Sequence, residues 1–261
     1  MSQLKALIFD VDGTLADTER DGHLVAFNMA FEEAGRDWHW SLELYGQLLA
    51  VTGGKERIRY YLNDFYSDER GEDFSSPVMT DAAFDDFVAG LHAAKTRFYM
   101  QLMADGAVPL RPGVVRFFKE ARDAGLRMAI ATTTTPANVT SLLTHTLGAE
   151  SIDWFEVIAA GDIVPAKKPA PDIYDYVLEK MNLKADQCLA FEDSHNGLLS
   201  SCGADLKTIV TINDYTSDHD FSDAILVLSD LGEPNQPMTV LQGTCDEAYF
   251  NLATAQKIHQ A

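Results

Sequence analysis

The residues of this chain best suited to chemistry fall into four short groups. They are Asp10-Val11-Asp12-Gly13-Thr14, Thr132 to Thr135, Lys167-Lys168-Pro169-Ala170-Pro171-Asp172, and Glu192-Asp193-Ser194. Several carboxylates gathered in one place repel each other, and a bound cation is the natural remedy. Ligation by oxygen alone suits Mg2+. Such an ion beside a phosphate oxygen stabilises the charge of an in-line transfer, while Lys168 and Thr132 would hold the remaining phosphate oxygens. One carboxylate can then attack phosphorus and a second can protonate the leaving oxygen. The set matches phosphoryl transfer through an aspartyl-phosphate.

Taken singly, each group has a plainer reading. A lone D-x-D is ordinarily a turn, a threonine run can end a strand and cap a helix, Lys-Lys before Pro is ordinarily a solvated loop, and Ser194 could simply be an N-cap. The elements that carry the groups decide otherwise. Leu4–Phe9 reads as a buried strand running into Asp10; Arg127–Thr132, Glu156–Ala160, Cys188–Phe191, Lys207–Ile212 and Ile225–Leu228 read as further strands. Helices are expected from about Pro112 to Gly125, over 136–147, over Pro171–Leu183 and over 195–202. Strands alternating with such helices give a parallel sheet covered on both faces. Ligands bind outside the carboxyl ends of its strands, and all four groups sit at that end.

No strand is legible between 16 and 105. His23–Ala34, 41–50, 54–66 and 80–103 look helical, with a polar loop near 67–79. The expected architecture is therefore α/β. A Rossmann-like core from 1–15 and 106–235 carries an inserted all-helical cap domain at 16–105. Residues 236–261 form a helical extension, in which Thr244 and Glu247 make a T-x-x-E capping pattern.

The chain has 261 residues with 40 Asp+Glu against 20 Lys+Arg, a formal net charge of −20. That field disfavours nucleic acid and anionic membrane surfaces as partners. A small phosphate ester can still be held by local cations and a metal. Three dispersed cysteines without metal spacing fit reduced thiols in a cytoplasmic protein. No apolar run is long enough to span a bilayer, and a monomer is expected.

FDVDGT, the strand-end Thr132, KKPAPD and FEDSHNG occur in the order of the four motifs of the haloacid dehalogenase-like hydrolases, which the chain resembles from Leu4 to about Leu231. Within that family it is most similar to the CbbY-like sugar-phosphate phosphatases, through TGGKERI at 52–58, ATTTTP and AGDIVPAKKPAPDIY. The resemblance implies Asp10 as nucleophile and Asp12 as general acid, then base. It implies Asp10, the backbone carbonyl of Asp12, Glu192 and Asp193 as Mg2+ ligands, Thr132 and Thr133 as phosphoryl-binding residues, and Lys168 as the neutralising cation. One departure is Thr133, where relatives often carry Asn.

Specificity would then lie in the cap. Gly53-Gly54 before a helix exposes backbone N–H groups, and Lys55 and Arg57 add positive charge, so this segment is a candidate clamp for a second phosphate or for sugar hydroxyls. Asp17, Glu19 and His23, just past the first motif, could touch a sugar hydroxyl or the leaving group. The expected activity is a phosphatase for a small phosphorylated sugar such as xylulose 1,5-bisphosphate. A phosphosugar mutase resembling β-phosphoglucomutase, or a non-catalytic phosphometabolite-binding protein, are the alternatives.

Overall fold

The computed structural model describes residues 3–51, 53–66 and 81–260. Thr52 and the expected loop near 67–79 lie outside the described residues. The chain divides into two compact units, Met1–Thr18 with Val108–Ala261, and Glu19–Ala107.

In chain order, strand β1 (Ala6–Phe9) is followed by a π-helical turn at Thr18–Leu24 and by α1 (Val25–Glu33), α2 (Leu42–Leu48), α3 (Gly54–Tyr60) and α4 (Asp81–Ala104). Then come α5 (Val114–Asp123), β2 (Arg127–Thr132), α6 (Pro136–Leu147), β3 (Val157–Ala160), α7 (Asp172–Met181), β4 (Cys188–Glu192), α8 (His195–Gly203), β5 (Lys207–Thr211), β6 (Leu226–Leu228), β7 (Val240–Gln242) and α9 (Leu252–Gln260). The sheet order is β3-β2-β1-β4-β5-β6-β7. All neighbours are parallel except β6 and β7. The fold is the α/β arrangement read from the sequence.

The chain turns from one side of β1 to the other between β3 and β4, so β1 and β4 flank the switch point where ligands bind in such sheets. Phe9 pairs with Phe191, which brings Asp10 and Glu192 level at the two carboxyl ends. Side chains alternate between the faces of the sheet. Ala6 and Ile8 pack with Ala129, Ala131, Tyr174 and Val177 on one face. Phe9 stacks on Phe191 with ring centres 4.7 Å apart and meets Phe118 edge-on at 5.0 Å. The site thus stands on a rigid aromatic floor.

Helix starts follow local chemistry. Thr135 caps α6 by accepting from the Asn138 N–H, with Pro136 at the first helical position. Ser194 caps α8 by accepting from the Gly197 N–H. The last segment differs from the expected helix. Val240–Gln242 pairs antiparallel with β6, and Gly243 then adopts φ +87, which a continuing helix cannot use. Helix begins only at Leu252, capped by Asn251, whose side chain accepts from the Thr254 N–H at 2.9 Å. Phe250, fully buried, packs 5.3 Å from Phe117. Residues 236–260 are therefore strand, turn and helix built into the core unit.

The helical unit has its own core. Phe27 lies 4.6 Å from Trp40, and the Asn28 amide bonds both the N–H and the carbonyl of Trp40. None of its described residues belongs to a strand.

Candidate active site

At the end of β1 the backbone of Asp10 donates to the Phe191 carbonyl at 3.0 Å, which ties the two central strands together. The next residues form a tight turn. The Leu15 N–H donates to Val11 O at 2.9 Å, and Gly13 has φ +84. A Cβ on Gly13 would collide with the Asp193 carboxylate, so glycine is required there for space as well as conformation.

Lys168, in the loop before α7, places Nζ 2.6 Å from Asp10 Oδ1 and 2.6 Å from Glu192 Oε1. Lys167, its neighbour in sequence, is exposed and pairs with Asp162. Burial alone would strip the proton from the Lys168 ammonium. Asp10 and Glu192 outweigh it and keep the ammonium charged well above the usual lysine range. Glu192 also accepts from the Tyr174 hydroxyl at 2.5 Å. Its carboxyl is nevertheless pushed up to about 7, by burial first and by Asp10 second. Burial, Asp10 and Glu192 likewise raise Asp193.

Asp10, Glu192 and Asp193 each offer an oxygen within 4.8 Å of the others, and all three are buried. One ammonium against three carboxylates leaves the cluster short of positive charge. Its donors are all oxygen, which fits a hard divalent cation such as Mg2+. The Asp12 carboxylate is not in that trio; its Oδ1 accepts from the Thr18 hydroxyl at 2.7 Å.

By the β1–β2 register Asp10 lies level with Ala131, so Thr132 stands one residue further out. Thr132 is buried and its Oγ1 accepts from the Thr134 N–H, whereas Thr133 is exposed. Asp17 is paired with an arginine of the core unit. Its carboxylate lies 3.2 Å from Arg111 Nε.

Arg111 was not singled out by the sequence. Its buried guanidinium donates to the carbonyls of Gly13, Thr211, Ile212 and Ser229. Asn213 was also missed; its amide donates to Asp193 Oδ2 at 2.7 Å. The available signal was position, since Asn213 follows the carboxyl end of β5. Tyr174, whose hydroxyl donates to Glu192, was likewise not picked out.

Within the helical unit, a second polar group is assembled. The Tyr45 hydroxyl donates to Glu19 Oε2 at 2.5 Å and accepts from Arg57 Nη1 at 2.7 Å. Lys95 Nζ lies 2.8 Å from His23 Nδ1 and 5.1 Å from the ring centres of Phe27 and Tyr99. The His23 ring stacks on Tyr99 at 4.1 Å. Burial first, and then Lys95 and Arg57, push the His23 imidazole down to about 4 against the pull of Glu19. Burial would raise the Glu19 carboxyl, but its cationic neighbours and Tyr45 hold it below the usual range. Arg57 is buried, and its Nε has no hydrogen-bond partner among the described residues. Lys55 stays exposed. The cations gathered here are thus Arg57 and Lys95, of which Lys95 had not been picked out.

A family model described as haloacid dehalogenase-like hydrolase matches residues 4–201. The chain is 47% identical over 236 residues to the plasmid protein CbbY of Cupriavidus necator, over 90% of this chain and 89% of that one. Among solved structures it resembles CbbY from Rhodobacter sphaeroides in complex with phosphate. The TM-score is 0.67 at 41% identity, over 87% of this chain and 94% of that one. A mutant of that protein in complex with xylulose-(1,5)bisphosphate matches with TM-score 0.67 at 40% identity, over 87% and 94% of the two chains. No helix among the described residues is long and apolar enough to cross a membrane.

Proposed function

Since this chain belongs to the haloacid dehalogenase-like hydrolases, we infer that it is a monomeric, Mg2+-dependent phosphatase for a small phosphorylated sugar. The observation that carries this reading is the Lys168 ammonium, shared between Asp10 and Glu192 beside Asp193. A cation bridging two carboxylates marks where a phosphoryl group, itself anionic, would be neutralised.

Asp10 attacks phosphorus as the bond to the sugar oxygen breaks, and Asp12 gives that oxygen its proton. The product is an aspartyl-phosphate and a free sugar hydroxyl. A water molecule then attacks the same phosphorus and passes its proton to Asp12, and the bond to Asp10 breaks. Lys168, with Thr132 and Thr133, holds the phosphoryl oxygens and aligns them. Asp10, Glu192, Asp193 and the Asp12 carbonyl would hold Mg2+, which when bound supplies positive charge against the transferring group.

The substrate we assign is a pentulose bisphosphate such as xylulose 1,5-bisphosphate. Support comes from the relative crystallised with that compound. It also comes from the helical unit, where Arg57 and Lys95 are set against one carboxylate, Glu19, with His23 neutral. A buried excess of positive charge suits an anionic group. His23 would contact the sugar. Lys55 would lend weaker, solvated charge, and Asp17 would act through its position after the first motif.

The test is phosphate release from a panel of sugar mono- and bisphosphates, with Mg2+ and with a chelator. Release is expected only with Mg2+, fastest for bisphosphates, and absent in Asp10→Asn. Full turnover by that variant would overturn the mechanism; isomerised sugar phosphate without net release would make the protein a mutase.

A further inference from the structure

Asp193 takes its side-chain hydrogen bond from a neutral amide at the end of another strand, unlike Asp10 and Glu192, which share an ammonium. Asn213 Nδ2 donates to Asp193 Oδ2 at 2.7 Å. The amide is fixed in that sense, because its Oδ1 accepts from the Tyr215 N–H at 2.9 Å and an ionised carboxylate can only accept. The Asn213 backbone N–H donates to Thr216 Oγ1 at 3.0 Å. Just upstream, Arg111 grips the Thr211 and Ile212 carbonyls. The other side of Oδ2 is closed by Gly13, where a Cβ would collide with Oδ2 and lie 2.6 Å from Asn213 Nδ2. Asp193 Oδ2 is therefore boxed between a backbone with no side chain and a rigid donor.

We propose that Asn213 is a positioning residue that holds Asp193 as a one-oxygen ligand and so sets the site's preference for Mg2+ over Ca2+. This rests on the metal reading above. Mg2+ demands near-octahedral geometry at short distances, whereas Ca2+ takes more ligands and accepts both oxygens of one carboxylate. With Oδ2 committed to Asn213, Asp193 has one oxygen to offer. Releasing Oδ2 lets the carboxylate turn and present both, which favours the larger ion.

The experiment is calorimetric titration of the metal-free full-length protein with MgCl2 and, separately, CaCl2. It compares the parent with Asn213→Asp and Asn213→Ala. The Asp variant keeps the shape and the acceptor for the Tyr215 N–H but loses the donor; the Ala variant loses both. The expected result is that preference for Mg2+ over Ca2+ falls about tenfold or more in both variants, a change as large as the loss of metal affinity that follows removal of a ligand's hydrogen-bond partner. If the Ala variant fails to fold, the Asp variant decides alone. A preference within twofold of the parent in Asn213→Asp, or one that rises, overturns the proposal and leaves Asn213 a turn residue. A parent protein that takes up neither ion would instead refute the metal reading, and this inference with it.

Discussion

Lys168 Nζ and Asp10 Oδ1 stand 2.6 Å apart, with both side chains more than nine-tenths buried. This pair joins the third sequence group to the first and sets a buried cation against the proposed nucleophile. Lys168→Met is expected to leave Asp10 and Glu192 buried without their cation. Breaking one partner of such a pair costs about 3–5 kcal/mol. Denaturant unfolding of the metal-free protein should show that loss, and phosphate release should fall to background. Unchanged stability would mean the ammonium contributes nothing net.

Asp12→Asn should separate the two proton steps from the attack. The variant keeps an oxygen for the Thr18 hydroxyl, which donates to Asp12 Oδ1 at 2.7 Å, but carries no acid. General acid catalysis is worth about 10²–10⁴-fold. Leaving-group release in the first turnover, before water attacks the aspartyl-phosphate, should slow by that order for sugar phosphates and much less for an aryl phosphate whose leaving group needs no proton. Equal losses on both substrates would count against Asp12 as the acid.

His23 carries a pH signature. Its imidazole is held neutral in the fold, with a pKa near 4 against 6.5 in the unfolded chain. The unfolded chain therefore binds more protons between those values, and stability is lost as pH falls from about 6.5 toward 4. The slope from this one group approaches about 1 kcal/mol per pH unit. Unfolding free energies at pH 6.5 and 4.5 should fall less steeply in His23→Gln than in the parent. Parallel curves would mean His23 titrates normally.

Arg111→Met should destabilise the core and the site together. Its guanidinium answers carbonyls from the first motif and from the ends of β5 and β6, plus the Asp17 carboxylate. A methionine would fill part of the space and leave the carbonyls bare. A loss of about 3–5 kcal/mol is expected, read by thermal or denaturant melting, together with weaker Mg2+ binding. Arg111→Lys should recover little of it, because a single ammonium cannot match a planar fork.

Much of the sheet, with the polar groups at its strand ends, was legible because strands buried on both faces read as apolar runs, and a polar residue at the end of such a run is conspicuous. Asp10, Thr132 and Glu192 were found that way. Asn213 follows β5 in the same manner, but one polar residue after a strand has no spacing to distinguish it from a turn. Lys95 lies 72 residues from His23 and sits on a long helix, where a lysine ordinarily reads as solvated. Only the packing of Phe27 and Tyr99 around it reveals the burial. Strand β7 is three residues long and shows no alternation, so its segment read as helix. The T-x-x-E pattern at 244–247 was a false start, and Asn251 does the capping.

Ala16 and Leu110 pair in an antiparallel bridge, and the Arg111 N–H donates to Leu15 O at 2.8 Å. The polypeptide therefore departs from the sheet and comes back to it through a single doorway. That makes the doorway a splice point. A short turn could join the two ends without stretching the hydrolase core, and a different insert could be grafted there while Asp10, Lys168, Glu192 and Asp193 keep their places.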